Sequence, residues 1–335
     1  MSATADLPIV DLGPDPASDA LRRGLVETGF FYLRDHEIPP DLLGAVREQT
    51  MRFFARPLAE KRRYEGFLRG FAALRAEDTE SGFGTGEYGG GDLCEKYTMG
   101  HQPTAAERAA DPAYWEAPEA QTFYGENVFP DEEFARVWRS YFAHMQELSR
   151  RLMAAVRATL GLAASEWASS VDRPADVLRF LSYPEVESAG PRMAAHYDDN
   201  LLTLLHQSRP ENGFSALQVM LPGEDVWRSV EPDDRFFVVN VGDSLMYLTG
   251  GRAIATKHRV VNPPPERLAG GARTSLVFFH LPNWNCPLRP VVPGVIDHAL
   301  GQARSAFGMD ALRDPDGTIP YYRLLRRESE MGFRK

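Results

Sequence analysis

Cysteine is scarce in this chain: Cys94 and Cys286 are the two in 335 residues, far apart and outside any C-x-x-C pair. That excludes a disulfide framework and a thiolate zinc site, and leaves both as ordinary buried thiols. Lysine is rare too, with Lys61, Lys96, Lys257 and Lys335 among 37 basic residues, so arginine dominates. Together with abundant Ala, Gly and Pro, this bias fits a GC-rich bacterial genome. Net positive charge is absent. A formal charge of −10 argues against general affinity for nucleic acid or an anionic membrane and leaves a small molecule as the expected partner. Residues 1–30 lack the basic start and apolar run of a secretory signal, and no apolar stretch reaches the roughly 18 residues of a membrane span. A cytoplasmic protein is therefore expected. The six glycines between Asp78 and Gly91 are not followed by Lys-Ser/Thr, so they form no phosphate loop and read instead as a mobile lid.

What is present suffices for a substantial core: 43% hydrophobic residues, 11% of the chain aromatic. Leu7–Leu12 reads as a strand, Asp19–Thr28 as a helix stopped by Gly29, Gly29–Leu33 as a second strand and Pro40–Phe54 as a helix. From Pro130 to Leu162, apolar residues recur at three- and four-residue steps, predicting a long amphipathic helix with Asp131 as N-cap and Gly161 as stop. His144 on that helix has no metal-binding neighbour and reads as structural. After residue 175 the texture becomes β-rich: Val177–Tyr183, Leu201–Leu205, Ala216–Leu221, Phe236–Val241, Ser244–Leu248, Arg259–Asn262 and Thr274–His280. Turn residues separate these runs, as in an antiparallel barrel or jelly roll. The expected fold is mixed α/β with a mainly β core and an N-terminal helical wrap. It forms a single domain 1–335, with 1–165 as the wrap, 175–285 as the jelly-roll core and 286–335 as a C-terminal cap or tail.

Three residues inside this β-rich region bear chemistry. His196 and Asp198 are two apart, so extended backbone puts both on one face with Tyr197 pointing away, and His258 follows 60 residues later. Two imidazoles and one carboxylate can hold a ferrous ion while leaving its other positions open, whereas four protein ligands would close the site. Fifteen residues beyond His258, Arg273-Thr274-Ser275 opens a strongly apolar strand. A buried arginine there needs an anionic partner: either an Asp or Glu of the chain, or a small dicarboxylic co-substrate gripped by cation and hydroxyl. His206 and His280 lack such pairing and read as wall residues.

The chain resembles the isopenicillin N synthase-like branch of the Fe(II)/2-oxoglutarate oxygenases along nearly its whole length. The resemblance rests on Gly29-Phe30-Phe31-Tyr32-Leu33 with His36, on Phe53-Phe54 with Lys61, and on Leu178-Arg179-Phe180 and Tyr183-Pro184. Arg192 through Asp198, Asn212-Gly213-Phe214, Thr249-Gly250-Gly251 and Arg273 through Phe279 extend it. These motifs are most similar to those of the cephalosporin-forming subgroup, the bacterial deacetoxycephalosporin C synthases. The resemblance implies a double-stranded β-helix, iron held by His196, Asp198 and His258, and the distal carboxylate of 2-oxoglutarate held by Arg273 and Ser275, with O2 as second co-substrate. Two positions depart from the subgroup. It carries arginine where this chain has Leu181 and Leu281, and leucine cannot make paired, charge-assisted bonds to a carboxylate.

The expected reaction is oxidation of a small molecule of bacterial secondary metabolism, by hydroxylation or by desaturation or ring formation, coupled to conversion of 2-oxoglutarate to succinate and CO2. Penicillin ring expansion or cephalosporin hydroxylation is the alternative substrate reading. A zinc-dependent hydrolase and a binding protein on a vestigial barrel are the competing classes. Arg179 is a candidate contact for an anionic substrate, and Phe180, Tyr183, Met193, Leu204 and Phe279 are candidates for the pocket wall. The segment Asp78–Gly91 and the tail 320–335, with Tyr321 and Tyr322, are candidate lids.

Overall fold

The structure is a computed structural model that describes residues 3–13, 18–66, 68–79, 90–163, 168, 170–188, 190–291, 314–316 and 318–324. Two sheets dominate it. The larger has nine strands: β1 (Ile9–Asp11), β2 (Phe30–Arg34), β3 (Glu65–Gly66), β4 (Arg69–Ala72), β5 (Glu95–Gly100), β6 (Val177–Tyr183), β8 (Leu202–Gln207), β11 (Phe237–Val241) and β13 (Arg273–His280). Their spatial order is β1-β2-β11-β8-β13-β6-β5-β4-β3, antiparallel except at β1–β2. The smaller sheet has β7 (Met193–His196), β9 (Leu217–Met220), β10 (Arg228–Ser229) and β12 (Lys257–Val260), in the order β10-β9-β12-β7. Two facing antiparallel sheets make the jelly roll expected from the strand texture.

Strand alternation divides the larger sheet into two faces. Leu178 and Phe180 of β6, Leu202 and Leu204 of β8, and Leu276 and Phe278 of β13 pack outward against helices in the main core. Phe180 lies 5.8 Å from Phe54 of the helix Pro40–Phe54, and Phe278 lies 5.4 Å from Phe142 of the helix Glu132–Leu160. Trp138 joins those helices by donating its Nε1–H to Thr50 Oγ1 at 3.0 Å. The long helix begins where expected: the Asp131 side chain accepts from the Phe134 amide at 2.8 Å, a cap that contributes about 1 kcal/mol. The inward face, with Leu181, Tyr183 and Val277, meets Leu217, Val219 and Val260 of the smaller sheet in a second core.

Residues 1–165 are more than a wrap. β1 and β2 extend the larger sheet past β11, and β3 to β5 extend it past β6. One expected strand is a helix: Ser244–Leu248 lies in Asp243–Leu248, with Leu245, Met246 and Leu248 buried. A short apolar run does not distinguish a buried strand from a buried helical turn, and here backbone capping decides the matter. Most of the Asp78–Gly91 segment, and the tail beyond Leu324, lie outside the described residues.

Candidate active site

A cavity between the sheets is lined by inward residues of both, and the expected constellation converges in its wall. His196 ends β7 and sits directly across from His258 in β12, which pairs with β7 and β9. The imidazole centroids are 4.3 Å apart. Each ring is oriented by its own strand: His196 Nδ1 lies 2.7 Å from the Ala194 carbonyl and His258 Nδ1 lies 3.1 Å from the Thr256 carbonyl. Both Nε2 atoms therefore turn toward Asp198 Oδ1, at 3.5 and 3.6 Å. One donor atom from each of the three residues lies within 4.8 Å of the others, and all three side chains are buried.

Asp198 lies just beyond the strand, in irregular backbone, because β7 stops at His196. The Asp243 amide donates to the Asp198 carbonyl at 2.7 Å, and the Ser244 amide donates to the Asn200 carbonyl at 3.2 Å. The helix Asp243–Leu248 thus uses the ligand segment as its cap. Gly242 permits this approach, since a Cβ there would lie 2.1 Å from the Asn200 carbonyl oxygen. Tyr197, expected to point away, also borders the cavity once the strand has ended.

The far oxygen of Asp198, Oδ2, accepts from Thr203 Oγ1 at 2.5 Å and from Asn240 Nδ2 at 2.7 Å, leaving Oδ1 for the imidazoles. Burial would raise the Asp198 carboxyl, but His258, His196 and Asn240 hold it well below the usual carboxylate range. Burial, reinforced by His196, lowers His258 to about 4. An ionised carboxylate and a neutral imidazole are the forms that bind a divalent metal. Two imidazoles and one carboxylate, each oriented by a hydrogen bond on its other side, fit Fe(II).

Arg273 and Ser275 face the same cavity from β13. Arg273 is 4% exposed, and its Nη2 donates to Ser275 Oγ at 2.7 Å and to Gln207 Oε1 at 3.0 Å. Its Nη1 and the Gln207 Nε2 are buried without acceptors. No carboxylate among the described residues pairs with this guanidinium. The orphaned donors fit an anionic ligand such as the distal carboxylate of 2-oxoglutarate.

Among the wall candidates, Arg179, Tyr183, Met193 and Phe279 line the cavity. Phe180 and Leu204 do not. Each is one residue out of phase with its inward neighbours, Arg179 and Leu181 on β6 and Thr203 and Leu205 on β8, and packs into the helical layer. Arg179 is already neutralised by Glu77 Oε2 at 3.1 Å and bonded to Thr98 Oγ1 at 3.1 Å. Glu77 also accepts from Lys96 Nζ at 2.6 Å, which in turn reaches Asp92 at 2.6 Å. Burial would raise Glu77, yet Arg179 and Lys96 bring it down to about 2. Leu181 and Leu281 both line the cavity as well. His206 and His280 are buried elsewhere, beside Arg47 and Asp176, and His144 lies exposed against the Ser140 carbonyl. Thr203, Asn240, Glu77 and Lys96 went unnoticed in the sequence, although each is a polar residue within or beside a strand-like run, which is a signal that a buried partner exists.

Residues 174–282 match the 2OG-Fe(II) oxygenase superfamily, and residues 7–132 match the family described as non-haem dioxygenase in morphine synthesis N-terminal. Deacetoxycephalosporin C synthase from Amycolatopsis lactamdurans is 31% identical over 277 residues, covering 79% of this chain and 80% of that one. Gibberellin 20 oxidase 2 from Oryza sativa is 29% identical over 314 residues, covering 86% and 71%. A crystal structure of a putative 2OG-Fe(II) oxygenase family protein from Caulobacter crescentus superposes with a TM-score of 0.71 at 23% identity, covering 98% of this chain and 99% of that one. The crystal structure of a dioxygenase for auxin oxidation in rice superposes with a TM-score of 0.66 at 21% identity, covering 98% and 97%. Among the described residues, no helix is long and apolar enough to cross a membrane.

Proposed function

The chain belongs to the 2OG-Fe(II) oxygenase superfamily, as a non-haem dioxygenase using Fe(II), 2-oxoglutarate and O2, and from that premise we propose the roles of its residues and the kind of substrate it oxidises. His196, Asp198 and His258 hold the iron. Arg273 and Ser275 hold the distal carboxylate of 2-oxoglutarate. Bound there, iron with 2-oxoglutarate and O2 supplies an oxidant able to remove a hydrogen atom from an unactivated carbon, while 2-oxoglutarate becomes succinate and CO2. The chain orients and insulates. Thr203 and Asn240 fix the carboxylate of Asp198, the Ala194 and Thr256 carbonyls fix the imidazoles, and Val177, Leu181, Val277 and Phe279 on the inner faces of β6 and β13 keep water from the reacting carbon. The observation that carries this reading is the buried Arg273 with an unmet Nη1, facing the same cavity as the His-Asp-His cluster.

Hydroxylation of a small molecule of bacterial secondary metabolism is the outcome we favour, supported by the similarity to deacetoxycephalosporin C synthase. Leu181 and Leu281 in the cavity wall speak against penicillin itself, because leucine at these two positions makes no paired, charge-assisted bonds to a carboxylate. Family membership removes the grounds for a hydrolase or a vestigial binder. The test is anaerobic loading with Fe(II) and 2-oxoglutarate, then O2 with a panel that includes penicillins, followed by succinate release and product mass. Succinate coupled to addition of one oxygen to a non-penicillin substrate is expected. Turnover of penicillin as well as any other compound, or hydrolysis without O2, contradicts the reading.

A further inference from the structure

Among the described residues, four cationic side chains line the cavity: Lys96, Arg179, Arg273 and Arg69. Lys96 and Arg179 are answered by Glu77 and Asp92, and Arg273 is reserved for the co-substrate. Arg69, on β4, is left over. It lines the cavity with 6% of its surface exposed, and no carboxylate among the described residues pairs with it. Its Nη1 donates to the Leu68 carbonyl at 2.7 Å and its Nη2 to the Phe123 carbonyl, while its Nε is buried without an acceptor. Burial, with Arg179 nearby, pushes the guanidinium down to about 10, so it stays charged at neutral pH. Arg192, a further buried arginine, is not in the cavity wall and bonds Asn262 and Pro184 instead.

The position of Arg69 is built. The guanidinium lies against the backbone of Gly100 in β5, where a Cβ would fall 2.0 Å from Nη2 and 2.3 Å from Cζ, so only glycine leaves room for it. The preceding residue, Leu68, takes a left-handed φ of 60°, a conformation that a leucine rarely adopts. Gly100 pairs with Val177 at one end of β6, whereas Arg273 pairs with Tyr183 at the other. At about 3.3 Å per residue those ends are roughly 20 Å apart. Leu181, Val177, Phe279 and Leu281 supply apolar wall in the same cavity.

We propose that Arg69 is the anion-recognising residue of the substrate site, so that the substrate is an apolar molecule bearing a carboxylate, held by Arg69 while its body lies along the leucine wall. This rests on the oxygenase reading of the cavity and narrows it to a substrate class. The paired donors of a guanidinium match a carboxylate, and a neutral amide cannot answer the unmet charge.

The test uses calorimetric titration of the full-length protein holding Mn(II) in place of Fe(II), with and without saturating 2-oxoglutarate. The probes are 3-phenylpropanoate and 6-phenylhexanoate against their amides. With 2-oxoglutarate occupying Arg273, at least one acid binds ten or more times more tightly than its amide. Arg69→Gln brings that ratio close to one without changing the dissociation constant of 2-oxoglutarate, and Arg69→Lys restores part of it. Gly100→Ala, which keeps the charge but displaces the guanidinium, lowers the ratio at least fivefold. The wild-type ratio needs no variant, so a folding defect in Arg69→Gln does not blunt the test. Equal binding of acid and amide, no binding by either pair, or a ratio that survives Arg69→Gln overturns the proposal. Failure of the wild type to bind 2-oxoglutarate strikes the underlying oxygenase reading, and is seen separately.

Discussion

Arg273 and Arg179 face one cavity from neighbouring strands, β13 and β6, and the chain meets their charges in opposite ways. Arg179 is clamped by half-buried Glu77, which also holds Lys96, and the three form a cluster with buried Asp92. Arg273 donates to a hydroxyl and an amide oxygen, lies 4.9 Å from the centroid of the Tyr183 ring, and has an Nη1 with no acceptor. Both are arginines on the inward face of a strand of the larger sheet. What separates the two is whether a carboxylate of the chain, among the described residues, has been brought to the guanidinium.

That contrast is open to attack from both sides. The largest effect is expected from Glu77→Gln, which strips the carboxylate from Arg179 and one of two from Lys96. Stability should fall by about 3–5 kcal/mol, read from the urea midpoint, with 2-oxoglutarate binding unchanged. A loss under about 1 kcal/mol would dissolve the distinction. Acid probes the same contact. Glu77 is depressed from 4.5 to about 2, so its contribution is complete above pH 4.5 and disappears as pH falls toward 2. The difference corresponds to roughly 3 kcal/mol. Denaturant titrations of wild type and Glu77→Gln between pH 6 and 2.5 should therefore converge, and parallel curves would argue against the assignment.

On the other side, Arg273→Gln should weaken 2-oxoglutarate binding about thirtyfold, roughly 2 kcal/mol, while leaving the urea midpoint nearly unmoved. The smallest pair of effects compares the two faces of β8. Leu204→Met and Leu205→Met each cost under about 1.5 kcal/mol in stability. Only Leu205→Met, on the cavity face, should shift KM for the oxidised substrate, and an equal shift from Leu204→Met would mean that the faces are misassigned.

The same contrast shows what a reading of residues reaches. His196, Asp198, His258, Arg273 and Ser275 were legible because few arrangements explain polar residues at those spacings inside apolar strands. The long helix from Glu132 and the helix from Pro40 were legible because their period persists over many turns. Alternation alone could have removed Phe180, since Arg179 and Phe180 cannot face the same side of one strand. The partners of Arg179 were out of reach. Glu77 lies about a hundred residues earlier, outside β5, and meets Arg179 beside Thr98 and Lys96, which the β5–β6 pairing brings alongside in a long-range registry that no local pattern encodes. The helix Asp243–Leu248 was misread as a strand for a similar reason, because the carbonyls that cap it belong to the ligand segment some 45 residues away.

The most direct test of the central claim is the joint stoichiometry of metal and 2-oxoglutarate, measured anaerobically by equilibrium titration of wild type, His196→Ala and Arg273→Gln. One Fe(II) and one 2-oxoglutarate per chain are predicted for wild type. His196→Ala should lose the metal, and Arg273→Gln should keep the metal while weakening only 2-oxoglutarate. Full Fe(II) binding by His196→Ala, or unchanged 2-oxoglutarate affinity in Arg273→Gln, would contradict the assignment of this site.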